Sequence, residues 1–211
     1  MASYSDFMNR QEAVEALELL RKVVSQARDD TTLQNWGVIW MVHGIVNAGA
    51  FLATNLLMWR GHESPWPYVA LWSMVLLFNI PSIFVLKSRT AGATTFVENM
   101  IWLIWTTFIA TVALTGLANH LSGFKVFTLG PVIGILSAFS FSMMGGLMGK
   151  NWFLIAGVFA LASLAMSLYP DWQFVILGAI WGCCQFTAGL LMDRARRRRV
   201  APSTPPQARL V

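Results

Sequence analysis

Charge is what this sequence has least of. Of its 211 residues only 12% are Asp, Glu, Lys or Arg, while 56% are hydrophobic, and the mean hydropathy is +0.57. A soluble domain carries about 25% charged residues, so that class is excluded. Cysteine is nearly absent. The two present, Cys183 and Cys184, are adjacent in an apolar run, which gives no CxxC, no zinc spacing and no disulfide framework. They read as small packing residues. Histidine occurs at 43, 62 and 120 only. His62 falls in a loop and His120 ends an apolar run at the side opposite His43, so no pair at matching depth exists for a bis-histidine haem. No acid lies deep in any apolar run, whereas proton-coupled transporters place one there. The serines of "FSFSMMGG" (139–146) sit in no recognisable nucleophile motif. Glu98 has a local explanation, since "TFVE" is a capping box at the start of a helix. No catalytic, cofactor-binding or metal-binding residue is therefore expected, and the chain is expected not to be an enzyme. The first 35 residues lack the short apolar core and cleavage site of a secretory signal peptide, so none is expected.

What is present is a set of long apolar runs, at about 36–59, 68–87, 96–118, 127–148, 152–168 and 173–192. Crossing a ~30 Å hydrocarbon core takes ~20 such residues as a helix. The fold class is all-α: a polytopic membrane protein with six transmembrane helices, arranged as three antiparallel hairpins. An amphipathic cytoplasmic helix and linker (1–35) precede the bundle (36–193), and a disordered basic tail (194–211) follows it. Lysine and arginine set the orientation. Arg10, Arg21, Lys22, Arg28, Lys87, Arg89, Lys150, Arg194, Arg196, Arg197, Arg198, Arg199 and Arg209 share one side, and only Arg60 and Lys125 lie on the other. The positive-inside rule then puts both termini in the cytoplasm and the protein in the cytoplasmic membrane. Trp59, Trp66, Tyr68, Tyr169 and Trp172 are expected in the outer aromatic belt, Trp36 and Trp152 in the inner one. Trp181, near mid-span, is expected to pack on another helix. Gly130-xxx-Gly134, Gly145-xxx-Gly149 and Gly178-xxx-Gly182 permit close backbone approach.

The ends carry the contact signals. In residues 6–29, Ala13, Leu17, Leu20, Val24 and Ala27 recur every four and three positions and form one apolar stripe. Glu12, Glu15 and Glu18 come early and Arg21, Lys22 and Arg28 late, which suits the helix dipole. A helix this short is marginal alone in water. A strongly basic polar face would favour lipid, but here the charges nearly cancel, so the stripe is expected to pack on protein: its own bundle, a partner or a second copy. The tail's Arg194, Arg196, Arg197, Arg198 and Arg199 are expected to meet anionic headgroups, at ~1 kcal/mol per nearby charge. The run directly follows a span, so nucleic acid is not expected.

The remaining feature is a polar layer. His43 and Asn47 lie at i and i+4, on one helix face. Counting 1.5 Å per residue places them, with Asn79, Ser140, Ser142 and Gln185, in one layer ~10–16 Å from the cytoplasmic surface. Lipid offers no hydrogen-bond partners, so these groups should face inward. His43 is expected to be neutral, for want of an intramembrane acid, and bonded to Asn79, Ser140, Ser142 or Gln185. Two readings stay open: structural bonding between helices, where a typical hydrogen bond contributes only ~0.6 kcal/mol, or a ligand, ion or proton site. Pro81 gives Asn79 a second role, since proline frees a carbonyl one turn earlier that a nearby amide can satisfy.

The order of parts resembles a broad group of small bacterial membrane proteins. These begin with a short cytoplasmic helix, as in "EAVEALELLRKVVSQARDD", and continue through an Asn-Trp step, as in "LQNWGVIWMVHGIV", into five or six spans. Members are often encoded beside winged-helix regulators. The resemblance covers layout and implies no catalytic residue. It implies a membrane partner in regulation. The leading expectation is a non-enzymatic protein acting through protein contacts, regulatory or in assembly. The alternative is a small transporter or ligand-binding protein that uses the polar layer.

Overall fold

The computed structural model describes residues 12–19, 22, 35–87, 96–122 and 129–200. Among them the regular elements are all helical: α1 (residues 12–19), α2 (Trp36–Trp59), α3 (Trp66–Leu86), α4 (Phe96–Ser122), α5 (Leu129–Met148), α6 (Asn151–Leu168) and α7 (Gln173–Val200), with a 3-10 turn at Pro170–Trp172. The six helices α2 to α7 are long and apolar enough to cross a membrane. The chain is a multi-pass integral membrane protein.

The partners of each sequential hairpin, α2 and α3, α4 and α5, and α6 and α7, are in contact, but the larger contacts lie between hairpins. The most extensive contact joins the first and last spans, α2 and α7, and the next joins α5 and α6. α3 packs mainly on α2, and α4 on α5. The core thus sits among α2, α5, α6 and α7, while α3 and α4 are peripheral and bury far less of their length. Small residues explain the α2–α7 seam. A Cβ added to Gly37 would lie 2.6 Å from the Asp193 nitrogen and 2.6 Å from the Gly189 oxygen. One added to Gly178 would lie 3.0 Å from Phe51 Cβ, and one on Gly182 would lie 3.0 Å from Ala48 Cβ. The other two small-residue motifs are also taken up within the chain, Gly130 against Gln173, Gly134 against Ser163 and Met166, and Gly145 against Phe153.

The core is aromatic. Trp40 meets Trp105 at 5.5 Å and Trp152 at 5.1 Å between ring centroids. Phe141 meets Trp105 at 5.3 Å, and Phe159 meets Trp181 at 5.4 Å. Trp181 is buried among Phe51, Phe108, Phe141, Phe159 and Trp105, as its depth suggested. Trp36 and Trp152 stand at the starts of α2 and α6, and both rings are buried against protein. Their helices begin beside the closest part of the seam, so the rings turn inward onto neighbouring helices. At the other end Trp59, Trp66, Tyr169 and Trp172 are exposed, and Trp59 and Trp172 meet edge to face at 5.0 Å.

The bundle also ends differently. The sequence predicts a bundle ending at 193 and a disordered tail over 194–211. α7 instead continues through the arginines to Val200. Arginine is a good helix former and no proline lies between Pro170 and Pro202. Asp193 anchors the extension, accepting from Arg196 at 3.2 Å and Arg197 at 2.7 Å. Residues 201–211, including Arg209, lie outside the described residues, as do Thr95 of the capping box, most of the 6–29 segment and the 123–128 link with Lys125.

Candidate functional site

The polar layer divides into two parts. α2 turns His43 and Asn47 toward α3, which presents Asn79 and, one turn on, Ser82. His43 Nε2 lies 3.1 Å from the Asn79 main-chain oxygen and 2.9 Å from Ser82 Oγ. The Ser82 hydroxyl donates to the same Asn79 oxygen at 2.7 Å. A carbonyl can only accept, so Nε2 carries the imidazole proton and donates. Asn79 Nδ2 donates to Asn47 Oδ1 at 2.9 Å. Two adjacent turns of α2 are thereby stitched to one turn of α3, and the polar groups are bonded directly to one another. The Asn79 amide reaches Asn47, and it is the hydroxyl of Ser82 that shares the Asn79 carbonyl with His43. Ser82 was absent from the sequence reading, although it sits at i+3 from Asn79 on the same helix face.

The other part is not joined to His43 by hydrogen bonds. Ser140 is buried and Ser142 half-buried on α5. Gln185 is buried on α7, where its Cβ packs 3.0 Å from the Cβ position of Gly44. Equal depth placed these residues in one layer, but depth does not fix azimuth. Gln185 meets α2 at Gly44, the neighbour of His43, without a hydrogen bond to it.

Two acids at the basic end of the bundle are more deeply buried than sequence suggested. Glu98 is 1% exposed and forms an ion pair with Lys87, which caps the end of α3. The pair links α3 to α4 beside the link at 88–95. Asp193 is 4% exposed and lies against Gly37 of α2. Asn35, at φ 70°, donates from Nδ2 to the Leu86 oxygen at 3.2 Å and ties the start of α2 to the end of α3. At the opposite end, Asn55 is fully buried. It donates to the Asp171 oxygen at 3.2 Å and accepts from the Phe174 nitrogen at 3.2 Å, so it clamps the 3-10 turn between α6 and α7. Gln173 accepts from the Gly130 nitrogen at 2.7 Å and ties α7 to α5. No motif in the sequence marks Asn55 or Gln173 as holding these turns.

Outside the bundle α1 presents a third kind of surface. Every residue from 12 to 19 is exposed, Val14, Leu17 and Leu19 each by half or more. The packing of the stripe on its own bundle is not found in this stretch. Its three acids, Glu12, Glu15 and Glu18, are exposed as well.

Among the described residues, no group of three or more His, Cys, Asp and Glu is placed to hold a metal ion. A shallow, open groove between α2 and α3, about 260 Å³, is lined by apolar side chains including Leu71, Met74 and Phe78. Comparison with protein families, curated proteins and solved structures finds no match.

Proposed function

We propose that this is a non-enzymatic protein of the cytoplasmic membrane that acts through protein contacts, as a regulatory or assembly partner, with α1 as the contact helix. The observation that carries the reading is the apolar side of α1, which the bundle leaves uncovered through residues 12–19. A bare leaflet is the poorer cover. This stretch holds three glutamates and no basic residue, and an anionic surface repels it within a Debye length of ~8–10 Å. The direct bonding of His43, Asn47, Asn79 and Ser82 supports structural bonding of the helices over a transport site. The layout shared with small membrane proteins encoded beside winged-helix regulators fits a partner in regulation. In this reading both termini are cytoplasmic, and Arg194, Arg196, Arg197, Arg198 and Arg199 rest at the anionic headgroups. Reporter fusions after residues 62, 122 and 170 should then read external, and fusions after 90, 150 and 200 internal; an inverted pair refutes the orientation. For the contact helix, the full chain and a form lacking residues 1–30 are purified from native membranes and their associated proteins compared. Loss of a stoichiometric component, or of self-association, on deletion and on Leu17→Asp supports the reading. Identical composition and mass for all three forms refutes it.

A further inference from the structure

We infer that the open groove between α2 and α3 binds a hydroxyl-headed lipid, its apolar chain lying along the groove and its hydroxyl donating to Nδ1 of His43. The inference does not depend on the role of α1. It starts from what the hydrogen bonds of His43 leave over. Nε2 is taken, by the Asn79 main-chain oxygen at 3.1 Å and Ser82 Oγ at 2.9 Å. An uncharged imidazole with its proton on Nε2 has a lone pair on Nδ1. No described residue bonds to that nitrogen, and the ring is half-buried, not sealed in the core.

Register puts this acceptor at the end of the groove. The lining residues Val46 and Ala50 follow His43 at i+3 and i+7, on one face of α2. On α3, the lining residues Leu71, Val75 and Phe78 lead on to Ser82 by steps of four, three and four, again one face. The contacts of Asn79 with Asn47 and of Ser82 with His43 set the two helices antiparallel. The groove therefore runs from the His43–Ser82 contact toward the middle of the bilayer. Gly49 keeps it open, since a Cβ there would meet nothing within 4 Å.

Size, charge and hydrogen bonding select the occupant. The groove holds about 260 Å³. One turn of a helix with its side chains, ~5.4 Å long and ~10 Å across, takes up roughly 400 Å³. A hydrocarbon chain fits where another span does not. α2 and α3 carry no Asp, Glu, Lys or Arg from Trp36 to Trp59 or from Trp66 to Leu86, so a charged headgroup would find no counter-ion. A lone acceptor ~10 Å inside the basic end of the bundle takes a single donor. A hydroxyl supplies one. An amide would bring a carbonyl and further N–H groups that hydrocarbon leaves unpaired. Long-chain alcohols and diacylglycerols have the required form.

The test uses the full chain, with isotopically labelled histidine, in phosphatidylcholine nanodiscs and follows the imidazole nitrogens by NMR. The histidines are at 43, 62 and 120 only, and His43→Leu assigns the signal. Dodecanol should move the His43 Nδ1 resonance upfield, as accepting a hydrogen bond does, and the shift should saturate. Dodecyl methyl ether has the chain without the donor. It should leave Nδ1 in place and compete with dodecanol about tenfold more weakly. Gly49→Leu fills the groove and should weaken dodecanol binding by about tenfold. Gly146→Leu, another helical site where a Cβ meets nothing within 4 Å, should leave binding unchanged. No Nδ1 shift with dodecanol overturns the proposal, as does a shift that rises without saturating, which marks bulk lipid contact only. An equal shift with the ether overturns the hydroxyl as the head. Undiminished binding by Gly49→Leu overturns the groove. The comparison of alcohol with ether needs no variant, so it decides even where Gly49→Leu fails to fold. A chain that is dimeric in the same nanodiscs and shows no shift assigns the groove to a second copy and overturns the lipid.

Discussion

Replacing Gly37 with alanine tests how tightly the first and last spans are sealed. The new Cβ would stand 2.6 Å from two main-chain atoms of α7, about 0.8 Å inside ordinary van der Waals contact. Neither atom is the far end of a side chain, so relief must come from moving one helix. Shifting α7 outward by several tenths of an ångström loosens its contacts at Gly44, Gly178 and Gly182 as well. A gap of 0.5–1 Å forfeits roughly a quarter to a half of each dispersion contact. Overpacking of this kind costs typically ~1–3 kcal/mol, and the value here should lie near 2. Gly49 supplies the control on the same helix, because a Cβ there meets nothing within 4 Å. Gly49→Ala should be neutral or slightly stabilising, as alanine exceeds glycine in helix propensity by up to ~1 kcal/mol. Both variants are unfolded in mixed micelles by a denaturing detergent and followed by tryptophan fluorescence. Equal stability of the two variants would refute the claim that backbone approach of α2 and α7 governs this bundle.

Two further perturbations test the polar and charged contacts. His43→Leu and Ser82→Ala, measured singly and together, should each destabilise by about 1 kcal/mol and show a coupling near 0.6 and not above ~1.7 kcal/mol; zero coupling in the same unfolding assay would mean that the 2.9 Å contact does not hold the helices. Lys87→Met should cost about 2 kcal/mol, below the usual value for a broken buried pair because the lysine is partly solvated. The double variant Lys87→Met/Glu98→Gln should recover at least half of that loss, and a double variant less stable than Lys87→Met alone would refute the pairing.

Span number and boundaries were legible because hydropathy alone decides them. Trp36, Trp59, Met148 and Leu168 bound helices close to where the apolar runs begin and end. Which spans touch beyond the sequential hairpins was not legible. Gly178-xxx-Gly182 announces a close approach, but nothing in it says that the opposing helix is α2. Counting residues gives depth and not azimuth, so it does not foretell that His43 bonds to Asn79 and Ser82 and not to Ser140 or Gln185. Ser82 was within reach, since a hydroxyl at i+3 from Asn79 shares its face. Glu98 stands in the first turn of α4, where the capping motif puts it, but its ion pair with Lys87 joins two helices, and a local motif carries no information about that. The same limit applies to the arginine run, where a tail and a helical extension have one composition and the anchoring by Asp193 decides.

The pairing of α2 with α7 sets a clock on folding. The first span leaves the ribosome early, but its principal neighbour is the last to be made. At ~5–20 residues per second, the interval between completing Trp59 and completing Val200 is on the order of ten seconds. During that time Gly37, Gly44 and the ring of Phe51 have no α7 to close on. A chain interrupted before residue 173 inserts five spans and still lacks the helix that seals the first. Truncation therefore leaves an open seam in the membrane instead of a smaller working bundle, and that seam gives membrane quality control a feature by which to tell finished copies from unfinished ones.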